Sequence, residues 1–193
     1  MLDGKRHLQG AGPAQTRITN LGTGAVLTAA AMSDVTLDKL SVFGGRNGAE
    51  PGNGVLCTGA SVLRLIDTTV TQNAADGLAC DSELHVAAST FSDNAGVGIR
   101  VYGGQTPTYR IERCMVTRNG TGIRAIGAGL IANTFSVRNL GSGLELAADL
   151  GIAKVDFSTI ANNGGMVRCL LVGQVSPALL SNVIITDEID NPS

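Results

Sequence analysis

The sequence has no tryptophan, and its four phenylalanines and two tyrosines make up only 3% of 193 residues. This scarcity argues against a core built around large rings and against a neutral-sugar site made of flat aromatic platforms. Charged residues are also sparse, at 16% of the chain, and the net charge is −2. Because no basic cluster interleaved with aromatic residues is present, the composition argues against a nucleic-acid partner.

Long apolar runs are missing as well. The longest nearly apolar stretch, from Gly24 to Met32, is far shorter than the ~20 residues that a membrane-spanning helix requires. The first residues show no apolar segment of a signal peptide. The cysteines lack CxxC spacing, and neither His7 nor His85 has further ligands in register, so we expect no metal and no cofactor.

The chain instead contains a repeat, and glycine, at 26 residues, is abundant. Five segments align on an asparagine and a following glycine, with separations of 21, 25, 20 and 24 residues between successive asparagines. They read TTVTQNAADGLAC (68–80), STFSDNAGVGIRV (89–101), CMVTRNGTGIRA (114–125), FSVRNLGSGLEL (135–146) and STIANNGGMVRC (158–169). A period of this length, made of short apolar segments separated by turns, predicts a parallel β-solenoid.

Each repeat has three short segments in which apolar residues recur at every second position, as in strands with one buried face. The predicted inward residues include Leu63, Leu65, Leu84, Val86, Val70, Phe91, Leu78, Cys80, Ile99, Val101, Ile123 and Ala125. We therefore predict an all-β fold of about eight coils with three short strands per coil, forming one domain over residues 1–193. Since no amphipathic capping helix is apparent, we expect a fragment of a longer chain, with further coils or another chain covering the ends.

The GIRV, GIRA and GLEL strands, the turn asparagines and the opening KRHLQGAGPAQTRI resemble the pectate-lyase-like superfamily of right-handed parallel β-helices. The resemblance implies that fold and, by the habit of the family, a secreted or cell-surface bacterial protein. It also implies that one sheet face and its flanking loops hold the site. Because this scaffold hosts unrelated functions, the resemblance by itself does not supply an activity.

The third strand of each repeat places one residue outward. With its neighbours inward, Arg100 points outward, Tyr102 lies one outward step further along, and the same column continues through Arg124, Glu145 and Arg168. Adjacent guanidinium groups suit the carboxylates of an anionic polysaccharide. The alternative is a solvated column of ion pairs without a ligand. Loops at 43–54 and 102–109 interrupt the period and are predicted to project sideways from the solenoid, where binding loops often lie.

Catalysis has weaker support. The calcium-dependent lyases of the resembled superfamily need clustered carboxylates, and its hydrolases need paired aspartates. Here the outward column offers one acid, Glu145, while Asp76 and Asp81, which flank a strand, come nearest to a pair. We therefore predict a non-catalytic module, structural or carbohydrate-binding. A polysaccharide lyase or glycoside hydrolase that uses the same face is the alternative.

Two other series are predicted to be structural. The asparagines should adopt left-handed turn conformations and bond to one another along the rod. Cys57 and Cys80 each lie three residues beyond a strand glycine and should stack inside the rod on adjacent coils. A Cα separation of ~4.8 Å is within disulfide range, but we expect free thiols that act as small core residues.

Overall fold

The computed structural model describes residues 1–59, 62–102, 109–147, 151–170, 178–187 and 189–190. These residues contain 24 β-strands and no helix. Each coil contributes one strand to each of three parallel sheets, so that every third strand along the chain is hydrogen-bonded to the next. The predicted all-β parallel solenoid with three strands per coil is confirmed.

The three sheets are built from short strands of two to six residues. The first sheet contains β1 (Lys5–Gln9), β4 (Asp34–Asp38), β7 (Val62–Ile66), β10 (Glu83–Ala87), β13 (Tyr109–Glu112), β16 (Gly129–Ala132), β19 (Ala153–Asp156) and β22 (Ala178–Ser181). The second contains β2 (Arg17–Thr19), β5 (Ser41–Phe43), β8 (Thr69–Thr71), β11 (Thr90–Ser92), β14 (Met115–Thr117), β17 (Phe135–Val137), β20 (Thr159–Ala161) and β23 (Ile184–Ile185). The third contains β3 (Leu27–Ala29), β6 (Val55–Cys57), β9 (Leu78–Cys80), β12 (Val97–Tyr102), β15 (Thr121–Ile126), β18 (Leu144–Ala147), β21 (Val167–Leu170) and β24 (Ile189–Asp190).

The number of coils differs from the prediction. Each sheet has eight strands, but the strands of the first and last coils pair with a sheet neighbour on one side only. The expectation of about eight coils is therefore corrected to about six regularly stacked coils.

The core is a set of vertical columns of mostly aliphatic side chains, with Phe91 and Tyr109 as buried aromatic residues. Leu63, Leu84 and Tyr109, for example, are register neighbours on β7, β10 and β13, and all three are buried. The apolar residues that recur at every second position of the sequence fill this core, because alternate residues of a strand face opposite sides of its sheet.

The asparagines form a continuous buried ladder at the corner between the second and third sheets. Each amide Nδ2 donates to the Oδ1 of the next asparagine at 2.8–3.1 Å, and each backbone N–H donates to the same oxygen. The ladder runs through Asn73, Asn94, Asn119, Asn139 and Asn163, and it ends on the carboxylate of Asp187. The predicted stacking of amides is confirmed.

The left-handed residue of each corner is not the asparagine. It is the residue before it: Gln72, Asp93, Arg118, Arg138 and Asn162 have φ between 55° and 58°. A second left-handed column lies between the first and second sheets at Lys39, Asp67, Ala88, Arg113, Asn133, Phe157 and Asn182. The expectation that the ladder asparagines supply the left-handed turns was wrong, because their side chains are committed to the ladder and the preceding residue makes the corner.

This geometry gives a stability prediction. Ala88 is exposed and has φ of 50°, a conformation that costs a non-glycine residue roughly 1 kcal/mol. We expect Ala88→Gly to raise the free energy of unfolding by about 0.5–1 kcal/mol. As a control, Ala74→Gly at an exposed position without positive φ should lower it by a similar amount. Urea denaturation of both variants measures the difference, and equal losses in both would contradict the prediction.

The corner between the first and second sheets carries a second ladder, which the sequence reasoning missed. Hydroxyls of Ser89 and Ser158 accept hydrogen bonds from the backbone N–H of Thr68 and Thr134, and each donates to a carbonyl two residues earlier. Cys114 occupies one position of this column and donates through Sγ to the Glu112 carbonyl at 3.2 Å. Serine should therefore replace Cys114 with little disturbance.

Candidate functional site

The outward column predicted on the third sheet exists in the structure. Arg100 of β12 is the register neighbour of Arg124 of β15, which is followed by Glu145 of β18 and Arg168 of β21. Towards the first coil the same column continues with Ala79 and Leu56, which carry no charge. The charged part of the column therefore starts at Arg100, and adjacent members are separated by the ~4.8 Å strand spacing.

Arg100 is held by a buried aspartate from the preceding coil. Its Nη2 donates to Oδ1 of Asp76 at 3.0 Å, and its Nε lies 2.8 Å from Oδ2 without the geometry of a hydrogen bond. Asp76 Oδ1 also accepts the backbone N–H of Val97 at 2.7 Å. The Asp76 side chain is 7% exposed and the Arg100 side chain 29%, so the carboxylate lies beneath and the guanidinium is the part that solvent reaches.

Arg124 and Glu145 form a similar pair, although here the acid comes from the following coil. Arg124 Nε donates to Glu145 Oε2 at 2.5 Å, and this hydrogen bond raises the pKa of Arg124. Glu145 lies on the outer side of its sheet as predicted, yet it is buried, with a side chain that is 8% exposed against 35% for Arg124. The arginine covers the acid, so Glu145 is a support for Arg124 more than a group offered to solvent.

Arg168 and Tyr102 are the exposed members of the candidate site. Among the side chains that the structure describes, no carboxylate forms an ion pair with Arg168. A column of surface ion pairs without a ligand would need Glu145 to pair with Arg168, and Glu145 pairs with Arg124 instead. Tyr102 is 39% exposed, and its hydroxyl lies 3.5 Å from Nη1 of Arg100. The column thus presents guanidinium groups and one phenol on its surface.

A cleft of about 340 Å³ opens where the charged column begins. Its lining includes both predicted acids, Asp76 and Asp81, together with Arg100 and Tyr102. Pro51 and Asn53 from the 43–54 loop form another part of the wall, so one of the two predicted loops does flank this face. The other, 102–109, lies outside the described residues except at its two ends.

Asp81 has a structural contact of its own, since its Oδ1 accepts the backbone N–H of Gly59 at 2.8 Å. Asp76 is committed to Arg100 and to Val97. The two weak catalytic candidates of this strand therefore share a cleft, but both are engaged in hydrogen bonds that hold the backbone or an arginine in place.

The sequence reasoning missed a second outward column, on the first sheet. It brings Arg64, His85 and Arg110 into register on β7, β10 and β13. Each pairs with an acid of its own: Arg64 with Asp34, His85 Nε2 with Glu83 at 2.7 Å, and Arg110 Nε with Glu112 at 2.7 Å. His85 faces outward as expected. The alternation of basic and acidic outward residues was the signal that could have revealed this column.

In the part of the chain that the structure describes, no group of three or more His, Cys, Asp or Glu side chains is arranged to hold a metal ion. The same residues include no helix that could cross a membrane.

A family model described as a right handed beta helix region matches residues 13–138. This span covers well over half of the chain and includes Arg100, Tyr102 and Arg124, whereas Glu145 and Arg168 lie beyond it. No curated protein matches the chain.

Proposed function

Since the chain belongs to the right-handed β-helix family, we propose that it is a non-catalytic module that binds an anionic polysaccharide along the third-sheet column. The ligand-binding residues in this proposal are Arg100, Tyr102, Arg124 and Arg168, with Glu145 positioning Arg124. Family membership supplies only the scaffold, because β-helices serve unrelated functions.

The proposal rests on the difference in burial between the acidic and the basic side chains of this face. In both ion pairs the carboxylate is under 10% exposed, and the guanidinium above it is about a third exposed. An anionic ligand that approaches the face meets guanidinium groups before it meets the acids. The buried partners also fix the orientation of Arg100 and Arg124, which reduces the conformational entropy lost on binding.

The proposal predicts salt-sensitive retention on immobilised polygalacturonate or alginate. Arg100→Gln and Arg124→Gln keep an amide donor for the buried carboxylate but remove the charge. Each should weaken binding about tenfold or more, because a charge-assisted hydrogen bond contributes roughly 1.5–3 kcal/mol. Arg168→Ala, which breaks no described ion pair, should also weaken retention without lowering thermal stability.

Arg110→Gln is the matched control. Arg110 is an exposed arginine paired with a glutamate, like Arg124, but it lies on the first sheet. Its loss should leave retention unchanged. Equal weakening by Arg110→Gln would show that the protein binds through overall charge, and absence of any salt-sensitive retention would remove the binding proposal and leave a structural rod.

A polysaccharide lyase or hydrolase remains the second candidate, favoured by the cleft that gathers Asp76, Asp81, Arg100 and Tyr102 beside the 43–54 loop. It requires that the protein release unsaturated or reducing ends from polygalacturonate or alginate, with and without Ca²⁺. If such products appear and Glu145→Gln or Asp76→Asn abolishes them, the non-catalytic proposal is wrong. No products, with binding retained, support the binding module.

We further propose that the protein is a single β-helix domain of a longer, exported or cell-surface chain. Proteins of this family are often extracellular, which supports export. Fractionation of cells that express the full parent gene tests this proposal, and recovery of the protein only in the cytoplasm would overturn it.

A further inference from the structure

Cys57 and Cys80 are stacked inside the solenoid on adjacent coils. They are register neighbours on β6 and β9, so their Cα atoms are separated by the ~4.8 Å strand spacing. That separation lies within the 4.4–6.8 Å range seen across disulfides. Both are free and each is 1% exposed. Both cysteines are free thiols, as predicted, and they lie next to each other on adjacent coils.

The two thiols lie close enough to shift each other's pKa. Interaction with the Cys80 thiol lowers the pKa of Cys57, and the same interaction, together with burial, raises the pKa of Cys80. The arrangement makes Cys57 the better nucleophile of the two, because the thiolate is the reactive form.

Both thiols face the interior of the solenoid and each residue is 1% exposed, so a reagent reaches them only when the adjoining coils open locally. Both cysteines belong to the lining of the 340 Å³ cleft at the start of the charged column, next to Thr58 and Asp81. Above and below them in the same column, Ala29 and Val101 are buried and carry only apolar side chains. The cleft is therefore the place where such an opening would admit a reagent.

We propose that Cys57 and Cys80 are a redox-active pair that low-molecular-weight disulfides oxidise to a disulfide when the coils beside the cleft open locally. The Cys57 thiolate attacks one sulfur of the reagent, forming a mixed disulfide and releasing one thiolate. Cys80 loses its proton and attacks the Cys57 sulfur, so that the Cys57–Cys80 bond forms and the second thiolate leaves. The pair gives up two electrons, the reagent takes them, and the two released thiolates take up the protons.

The bond joins two successive coils inside the solenoid. It closes a loop from residue 57 to residue 80, which restricts the unfolded chain. The midpoint of thermal unfolding should therefore rise by about 6–12 °C on oxidation. This inference does not depend on whether a polysaccharide binds.

The test is incubation of the whole chain with oxidised glutathione, followed by counting of thiols in denaturant without reductant. We expect the count to fall from four to two, with peptide mapping that joins Cys57 to Cys80. The rise in the thermal midpoint should appear at the same time and be reversed by dithiothreitol.

Cys114→Ser is the matched control, since Cys114 is a buried cysteine whose hydrogen-bond partners, among them Thr134 and Glu112, include no cysteine. This variant should still lose two thiols, whereas Cys57→Ser and Cys57→Ala should form no internal disulfide and show no rise in midpoint. An unchanged thiol count in the wild-type chain overturns the proposal. So does a stable glutathione adduct without the internal bond, or a linkage that involves Cys114 or Cys169.

Discussion

Replacing Asn119 with alanine is expected to destabilise the protein by about 3–5 kcal/mol, because five buried hydrogen bonds are lost at once. Asn119 lies at the centre of the asparagine ladder and is 0% exposed. Its Oδ1 accepts from both the backbone N–H and the side-chain amide of Asn94. Its Nδ2 donates to Asn139 and to the carbonyls of Phe91 and Thr117.

Alanine cannot replace these five hydrogen bonds. The Asn94 backbone N–H loses its acceptor, whereas the Asn94 amide and Asn139 Oδ1 each keep one other partner. A buried unsatisfied donor or acceptor costs roughly 1–3 kcal/mol, and relaxation of the corner recovers part of the sum. The effect should also spread along the rod, because the ladder joins consecutive coils from Asn73 to Asp187.

Urea denaturation measures the change, with Asn47→Ala as the matched control. Asn47 also makes two hydrogen bonds, to the Ala74 carbonyl and from the Gly52 N–H, but it lies on the exposed 43–54 loop. We expect the control to cost about 1 kcal/mol or less. If the two variants lose similar stability, the ladder contributes no more than ordinary surface hydrogen bonds.

The second large effect is expected at Gly122, which begins the inward-facing part of β15. An added Cβ would lie 2.2 Å from Ser136 Oγ, 2.3 Å from the Gly143 carbonyl oxygen and 2.8 Å from Asn139 Nδ2. These atoms belong to the ladder corner and to the neighbouring coil, so none can move away freely. We expect Gly122→Ala to cost about 2–3 kcal/mol through overpacking.

Gly22→Ala is the comparison for this substitution, because the nearest atom to its added Cβ is Asn20 Oδ1 at 3.4 Å. It should change stability by less than about 1 kcal/mol. Thermal and denaturant unfolding of the two variants separate the effects. A loss at Gly122 no larger than that at Gly22 would mean that the coils can separate to accept a methyl group.

The glycine and asparagine columns depend on each other. Gly54, Gly77, Gly98 and Gly143 share the position of Gly122 in their own coils, and an added Cβ at any of them would also lie within 3 Å of an asparagine Nδ2. The absence of a side chain at the start of these five third-sheet strands therefore lets the amide ladder lie directly behind them. This packing is why an asparagine followed by a glycine recurs in the sequence.

The candidate site was only partly predictable. The register of Arg100, Arg124 and Glu145 followed from the repeat, since residues at the same position of successive coils lie above one another. That Asp76 pairs with Arg100 did not follow, because Asp76 belongs to a corner whose conformation brings it beneath the next coil. The burial of Glu145 was hidden for a similar reason: it depends on a long arginine side chain lying over it.

The sequence by itself determined the architecture, because a repeat of alternating apolar residues and glycine turns can bury its apolar side chains only by coiling and stacking. It also determined which residues face inward and which share a column. Only the tertiary structure decided which residue of each corner is left-handed, how deep each charge lies and where a cleft opens. Those features arise from contacts between coils, and a repeat period specifies the stacking of positions without specifying the side-chain partners that meet there.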